Sequence, residues 1–529
     1  MSSPASVVLI HPHIALPGGA RAQALLVVDG VIRAVGTRAE VRGAAQAGAA
    51  EVELPGAIVV AGFHDAHLHL AHMAREHDAV DLRAARSLDE ALAAIAAHAA
   101  GRAAGRAWIT GGRWDANRWG SGGRPTRQAL DAVSSTTPVC LSSIDGHTVW
   151  ANTAALRAVG IDADTPDPVG GRIEREPGTA EPSGLVREAA VAVLTAAAER
   201  SADLDIVAAV ERAQHELLAA GITHITDYDG ADSGAAIGRL HREHRLAVRV
   251  HKGMAMDGLD AAIAAGRKSY RGDAWVTSGP VKLFSDGALG SHTAHMSQDF
   301  ADDPGNRGVE VLDAARLDDL VGRAVRAGIA VATHAIGDAA NTAVLDAYER
   351  WMPQARAAGL RLRIEHAQLL RPVDARRFAA LGVIASQQPS HWASDRPLIE
   401  RMLPGRDLVG YGWSRLRADG ARIAFGSDAP VEPITPLRGI QAAVQRSDAA
   451  GPIGAVPPFG VAEALAAYTE GSAYAAGLEE RVGRIEPGML ADLTMLAEDP
   501  FTTPVGDIER IGVAATVVGG VVAYRADGV

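Results

Sequence analysis

The stretch GFHDAHLHL, residues 62–70, follows the apolar run 57–61 and holds three histidines and an aspartate. We predict a buried strand over residues 57–63 that leads into these histidines. Side chains alternate along an extended chain, so His67 and His69 point to the same side, where two imidazoles can bind one metal ion. A single H-x-H pair in a long chain is more often a surface pair or a satisfied core pair. The rest of the chain has to decide between these interpretations.

Seven further apolar runs, rich in β-branched residues, alternate with Ala-rich segments of helical periodicity. They cover residues 221–227, 246–251, 279–284, 328–334, 360–366, 382–386 and 422–428. With the first run they make eight strand–helix units, the number that closes a parallel barrel. We therefore predict an α/β fold whose main domain, residues 57–478, is a TIM-like (β/α)8 barrel.

Two parts of the chain do not fit a simple barrel. Residues 71–220 are too many for one crossover between the first two strands, so we place an inserted subdomain in this interval. Both chain ends show strand–turn–strand patterns with DG, PG and GG turns. We predict that residues 1–56 and 479–529 pair into one small β-sandwich.

Composition excludes several classes of protein. Hydrophobic residues make up 48% of the chain and charged residues 22%, which is typical of a globular protein with a large core. The net charge is -12 without a block of basic residues, which argues against a nucleic-acid partner. No window of about eighteen apolar residues and no basic region before an apolar run occurs, so we expect a soluble, cytoplasmic protein without a membrane partner. Homo-oligomerisation is left open.

Cysteine and lysine are both rare. The single cysteine, Cys140, excludes an internal disulfide and every C-x-x-C motif, and its apolar surroundings predict a buried residue. Among 51 Lys and Arg residues only three are lysines, namely Lys252, Lys268 and Lys282. An amine, unlike a guanidinium, can lose its proton and take up carbon dioxide. Lys282 lies inside the predicted fourth strand, whereas Lys252 is expected to extend its amine to solvent.

Metal-binding residue types recur where the predicted strands end. Active sites of such barrels lie at the carboxyl ends of the strands. The candidates at these positions are His67, His69, Lys282, His334, His366 and Asp428. Each alone has an ordinary explanation, such as a solvent-facing histidine or, for Asp428, a helix cap. Together they favour a site for divalent metal, with zinc as the first candidate.

Eight motifs carry a family resemblance. They are GFHDAHLHL (62–70), DGHTVWANTAAL (145–156), PSGLVRE (182–188), VKLFSDGALGSHTA (281–294), THAIGD (333–338), RIEHAQ (363–368), AFGSDAPVEPITPL (424–437) and GRIEPGMLADLTML (483–496). In these motifs the chain resembles the amidohydrolase superfamily, in the YtcJ-like branch that includes N-substituted formamide deformylases. It departs from the family pattern at His64, His292 and Ala339, where an apolar residue, an arginine and an arginine are expected. These departures leave the metal set unchanged and concern the substrate pocket.

The resemblance implies a role for each metal candidate. His67 and His69 would bind one ion, and His334 and His366 a second. Asp428 would bind metal and transfer protons, while Lys282 would bridge after carboxylation by carbon dioxide. An ion pair with Asp286 or another carboxylate is the competing account of Lys282. His64 and Asp65 either orient the neighbouring histidines or have a structural role.

The resemblance also implies the reaction. It is hydrolysis of a carbon–nitrogen bond, in an amide or N-substituted formamide, by water that the metal activates. Esters, lactones, carbamates and cyclic amides are alternative substrates on the same site. A non-catalytic, metal-bound regulatory or binding protein is the alternative of another class, and the complete ligand set argues against it. No G-x-S-x-G, H-E-x-x-H or Walker-type glycine loop occurs.

The substrate pocket is predicted from the inserted subdomain. The segments 111–120 and 145–152 mix tryptophans with polar residues, as apolar pockets with a few polar groups do. The predicted pocket residues are Trp114, Asp145, His147, Trp150 and His292. Core packing is the alternative for the tryptophans.

Overall fold

Eight parallel strands curl into a barrel in the computed structural model of the chain, which describes residues 6–76, 79–101, 108–119, 123–200, 205–449 and 459–527. The barrel strands are Phe63–Leu68, Ile222–Asp227, Arg249–Ala255, Val276–Phe284, Val331–Ala335, Leu362–His366, Ile384–Gln387 and Arg422–Phe425. Strands that are consecutive in this order are neighbours in the sheet. The first strand meets the segment after the eighth where the His69 amide donates to the Ala429 carbonyl at 2.7 Å. The predicted fold class is thereby confirmed.

Helices lie between the barrel strands and after the last of them. They are Leu70–Glu76, Ile206–Ala219, Ala231–Arg242, Leu259–Ala264, Ala314–Ala327, Asp338–Ala357, Pro372–Leu381, Trp392–Met402, Trp413–Ala418, Pro436–Ala449, Val461–Ala466 and Ser472–Ala475. The helix Ala314–Ala327 shows how the sequence sets its limits. The Asp313 carboxylate accepts from the Arg316 amide at its start, and Gly328, at φ 78°, ends it in a conformation that glycine adopts easily. None of the helices in the described ranges combines the length and the apolar character that crossing a membrane requires.

The predicted first strand, 57–63, is wrong in part. Ile58–Ala61 belongs to a different sheet, where it pairs with Leu493–Leu496, and the barrel strand begins at Phe63. Gly62 lies between the two strands. Only glycine fits at this position, because a Cβ would lie 2.3 Å from the Thr223 hydroxyl oxygen. Both runs are buried on all sides, so no alternation of apolar and polar residues marked the break between them.

The two chain ends form one sheet. Its strands are Ser6–Ala15, Arg21–Val28, Val31–Gly36, Ala50–Glu53, Ile58–Ala61, Leu493–Leu496, Val513–Val518 and Val521–Arg525. The short helix Arg38–Ala44 lies beside it. Residues from both ends, including Leu25 and Val517, share one apolar cluster. The predicted pairing of the ends agrees with this sheet, while the domain limits 1–56, 57–478 and 479–529 stay predictions.

The inserted subdomain contains a six-stranded sheet within residues 71–220. Its strands are Val80–Asp81, Ile109–Trp114, Val139–Ser143, Thr148–Ala151, Gly171–Arg175 and Pro182–Glu188, and its helices are Leu88–Gly101, Arg127–Val133, Thr153–Ala158 and Val191–Arg200. Cys140 is buried in it, as predicted. A cavity separates the subdomain from the carboxyl ends of the barrel strands, where the candidate residues lie.

Candidate metal centre

Three predicted ligands converge at the carboxyl end of the barrel. Oδ1 of Asp428 lies 3.4 Å from Nε2 of His67 and 3.3 Å from Nε2 of His69. Ligand atoms about 2.0–2.2 Å from a tetrahedral zinc ion lie about 3.3–3.6 Å from one another. These three side chains therefore have the chemistry and the spacing of metal ligands.

The first and eighth strands are tied together by Asp65. Its Oδ1 accepts from the amides of His67 and Ser427, both at 3.1 Å. Burial raises the pKa of Asp65 to about 7, against the opposing effect of these hydrogen bonds. His64 is turned away, with Nε2 3.2 Å from the Thr226 hydroxyl. Asp65 thus fixes the backbone that carries His67, and His64 has a structural role.

Glu365 orients His67. Its Oε2 lies 2.6 Å from Nδ1 of His67, and the Tyr228 hydroxyl donates to its Oε1 at 3.0 Å. Burial alone would raise the pKa of Glu365, but Arg363 and then His67 outweigh burial and hold this pKa well below its usual range. The carboxylate accepts a hydrogen bond from Nδ1–H of His67, which leaves the unprotonated Nε2 to face a metal. Sequence reasoning missed this residue, although two charged residues alternating in an otherwise apolar strand were a signal.

Asp229 orients His69, as Glu365 orients His67. Its Oδ1 lies 3.0 Å from Nδ1 of His69 and 2.6 Å from Nδ1 of His72. Burial lowers the pKa of His69, but Asp229 and Asp428 outweigh it and raise this pKa to about 9. His69, His72 and Asp229 are close enough together to bind a metal. Both histidines nevertheless hydrogen-bond the carboxylate through Nδ1, which is the geometry of an orienting partner.

Lys282 is buried next to His67. Its Nζ lies 3.5 Å from Nε2 of His67 and 4.4 Å from the ring centre of Phe284. Burial lowers the pKa of the Lys282 amine to about 8. The alternative ion pair with Asp286 is not found, because that carboxylate accepts from backbone amides, including that of Gly337. Within the described ranges no carboxylate forms an ion pair with Lys282.

Lys252 does not extend to solvent as expected. It is buried, and its Nζ lies 3.0 Å from Oδ2 of Asp227. Lys252 is therefore a structural lysine whose charge is compensated inside the barrel.

His334 and His366 lie together, with ring centres 4.5 Å apart. Nε2 of His334 is 3.0 Å from the Gly287 carbonyl oxygen, whereas Nδ1 of His366 is buried and has no hydrogen-bond partner in the described structure. An unpartnered buried nitrogen fits a metal ligand. The structure groups His366 with Asp428 and with His391, which sequence reasoning missed. A metal-binding role for His334 stays a prediction.

A cavity of about 1180 Å³ lies over these residues. Four of the predicted pocket residues line it, namely Trp114, Asp145, His147 and His292. Trp150 does not, which corrects the prediction. Its indole N–H donates to the Thr126 carbonyl at 2.8 Å, and its ring packs against Trp119 in the core of the subdomain. Burial of a large apolar ring against other aromatic rings accounts for its position.

Two of the pocket histidines pair with carboxylates. Nδ1 of His147 lies 2.9 Å from Oε2 of Glu188, and Nε2 of His292 lies 3.1 Å from Oδ1 of Asp302. Burial lowers the pKa of His147, but Glu188 outweighs it and raises this pKa to about 9. The His147 ring centre is 5.4 Å from that of His334. The subdomain thus places a hydrogen-bonding imidazole beside the metal candidates.

Tyr228→Phe is expected to lower the free energy of unfolding by roughly 1.5–3 kcal/mol, because the change removes a hydrogen bond to a charged, buried group. Since Arg363 and His67 still hold Glu365, we expect kcat/KM to fall less than tenfold. Tyr348→Phe is the matched control, because in the described structure its hydroxyl bonds the Thr333 hydroxyl and the Arg363 backbone carbonyl but no carboxylate. Thermal unfolding and kinetics of both variants check this. Equal losses of activity in the two variants would contradict an orienting role for Tyr228.

The chain is similar to known proteins over most of its length. The model of the amidohydrolase family matches residues 50–524. The putative amidohydrolase YtcJ of Bacillus subtilis is 33% identical over 526 residues, which cover 96% of this chain and 97% of that protein. The N-substituted formamide deformylase of Arthrobacter pascens is 32% identical over 535 residues, 96% of each chain. The crystal structure of an uncharacterized metal-dependent hydrolase from Pyrococcus horikoshii superposes with a TM-score of 0.77 at 28% identity, covering 95% of this chain and 99% of that one.

Proposed function

The chain belongs to the amidohydrolase family, and from this membership we propose that it cleaves the carbon–nitrogen bond of an amide or N-substituted formamide. It is a metal-dependent hydrolase that acts on carbon–nitrogen bonds other than peptide bonds. The observation that carries the proposal is the ligand-spaced group of His67, His69 and Asp428 below a large cavity. The similarity to a formamide deformylase over nearly the whole chain supports the substrate class.

The chemistry depends on a divalent cation at His67, His69 and Asp428, for which zinc is the first candidate. When bound, such a cation lowers the pKa of water to about 7 and polarises the substrate carbonyl. Asp428 accepts the proton of the attacking water and delivers it to the departing nitrogen, because an amine leaves poorly without a proton. Its Oδ1 faces the two histidines, so Oδ2 is the oxygen available to the substrate nitrogen.

We further propose that Lys282 carries a carbamate. The neutral amine nitrogen would form a bond to the carbon of carbon dioxide and release one proton to water. A buried amine with a pKa of about 8 becomes neutral more readily than an ordinary lysine. The carbamate would place an anion beside His67, where the bare ammonium has no carboxylate partner among the described residues. In this arrangement His334 and His366 would hold a second cation.

The cavity suits a small molecule. Its volume of about 1180 Å³ and its wall of Trp114, Asp145, His147 and His292 can accommodate a sizeable N-substituent and position it with a few polar groups. The negative net charge supports a protein without a nucleic-acid partner. A cytoplasmic location is part of this proposal.

A hydrolysis screen tests the substrate class. The metal-reconstituted protein is incubated with N-alkylformamides, acyl amines, carbamates, lactones and esters, and released amine and acid are measured. We expect formamides or acyl amines to give the highest kcat/KM. Hydrolysis of lactones or esters alone would favour the alternative substrates, and stoichiometric metal without any turnover would favour a regulatory or binding protein.

Metal content is expected to be one or two zinc-like ions per chain after gentle purification, because imidazole and carboxylate ligands suit zinc. Chelation should abolish turnover, and zinc, manganese or cobalt should restore it. Elemental analysis measures the content. Less than about a tenth of an equivalent, with no gain of activity on adding metal, would contradict the metal-binding role of these ligands.

A further inference from the structure

His391 is a partly buried imidazole at the cavity wall, and the reaction described so far does not use it. It ends the 3-10 turn Pro389–His391, which follows the seventh barrel strand. Its side chain is 12% exposed, and its Nε2 has no hydrogen-bond partner in the described structure. Leaving a buried nitrogen unpaired is unfavourable, so a nitrogen in this position at a cavity wall is available to a donor that enters the cavity.

The surrounding chain holds His391 in place. Its amide donates to the Gln388 carbonyl at 3.2 Å, and the Ser394 hydroxyl donates to its carbonyl at 3.0 Å. The next helix is fixed by Asp395, whose Oδ2 accepts from the Tyr411 hydroxyl at 2.5 Å. The position of the imidazole is therefore set before substrate binds.

The free nitrogen faces the proton-transfer group. Nε2 of His391 lies 3.9 Å from Oδ2 of Asp428, which is too far for a direct hydrogen bond. An atom that sits between them can be within hydrogen-bond reach of both. Because Oδ1 of Asp428 faces His67 and His69, Oδ2 is the oxygen that delivers the proton to the leaving nitrogen. His391 therefore faces the same nitrogen.

We propose that Nε2 of His391 accepts a hydrogen bond from the N–H of the scissile amide, and that this contact makes the enzyme selective for N-monosubstituted substrates. The inference rests on the proposed function. The contact turns the substrate nitrogen so that its developing lone pair points at Asp428. A substrate without that N–H leaves Nε2 of His391 without a hydrogen-bond partner. Polar pockets discriminate in this way against analogues that lack a donor.

The competing role for His391 is as a metal ligand. His391, His366 and Asp428 each bring one ligand atom within 4.8 Å of the others. The 3.9 Å between His391 and Asp428 is wider than the spacing of about 3.3–3.6 Å between ligands of one tetrahedral zinc ion. Metal content of a His391 variant separates the two roles.

The test compares two substrates that differ by one methyl group on nitrogen, N-butylformamide and N-butyl-N-methylformamide. Wild type is expected to prefer the first by at least tenfold in kcat/KM. His391→Phe should lower kcat/KM for the first by roughly 10–100-fold and change that for the second less than about threefold, because only the first loses a hydrogen bond. His391→Asn, which keeps an acceptor, should recover part of the preference. His215→Phe, an exposed position on the helix Ile206–Ala219 away from the cavity wall, should keep the wild-type preference.

The outcomes separate this inference from the proposed function. Equal kcat/KM of wild type for the two formamides, or equal losses for both in His391→Phe, would overturn the inference alone. Loss of one metal equivalent in His391→Phe and His391→Asn would also overturn it, because His391 would then be a ligand. Turnover of neither formamide by metal-loaded wild type would overturn the inference together with the proposed formamide substrate.

Discussion

Asp428→Asn is expected to lower kcat on a carbon–nitrogen substrate by roughly 10²–10⁴, because an amide can neither accept the proton of water nor deliver one to the leaving nitrogen. The fold should survive the change. The backbone N–H of residue 428 donates to the His67 carbonyl at 2.7 Å, and the substitution does not change this hydrogen bond. The backbone φ of Asp428 is 58°, a conformation that asparagine tolerates. Steady-state kinetics and the melting temperature measure the two effects.

The control for this variant is Asp507→Asn, which removes an exposed carboxylate that pairs only with Arg510 in the described structure. It should leave kcat unchanged and stability within about 1 kcal/mol. Turnover of Asp428→Asn close to wild type would mean that Asp428 has only the structural role of a cap.

Lys282→Arg is expected to lower kcat/KM by on the order of 10² or more, since a bridging ligand should matter at least as much as the partners that orient ligands, whose loss has effects of roughly 10–100-fold. Arginine keeps the positive charge and cannot take up carbon dioxide. The variant therefore separates the charge of Lys282 from its nucleophilic amine. Kinetics and metal content of the purified variant measure the effect.

Lys282→Ala provides the complementary test. Its truncated side chain leaves room for a short carboxylic acid, which offers the two oxygens that a carbamate would supply. We expect formate or acetate to restore part of the lost activity in Lys282→Ala and none in Lys282→Arg. Wild-type turnover by Lys282→Arg would contradict the carbamate.

The candidate metal ligands could be predicted from the sequence because the barrel topology determines where the strands end. Parallel strands end on one side, so His67, His69 and Asp428 were expected together once the strands were recognised. Their orienting partners were not predictable in this way. Glu365 lies 298 residues from His67 along the chain, and only the packed barrel shows that the two side chains meet.

The errors have local physical causes. Trp150 was expected at the cavity because tryptophan combines an apolar ring with a polar N–H, but a backbone carbonyl in the subdomain core takes up that donor. His391 was missed because it follows a proline in a turn rather than ending a strand. The role proposed for His391 depends on its position next to Asp428. The two residues lie in separate segments of the chain, and no sequence motif links them.

Anomalous diffraction from crystals grown with zinc tests the central claim most directly, because it locates the cation without any assay. We expect a peak at the zinc edge about 2.0–2.2 Å from Nε2 of His67, Nε2 of His69 and a carboxylate oxygen of Asp428. A fully occupied zinc peak elsewhere in the molecule, with none between these three residues, would contradict the account.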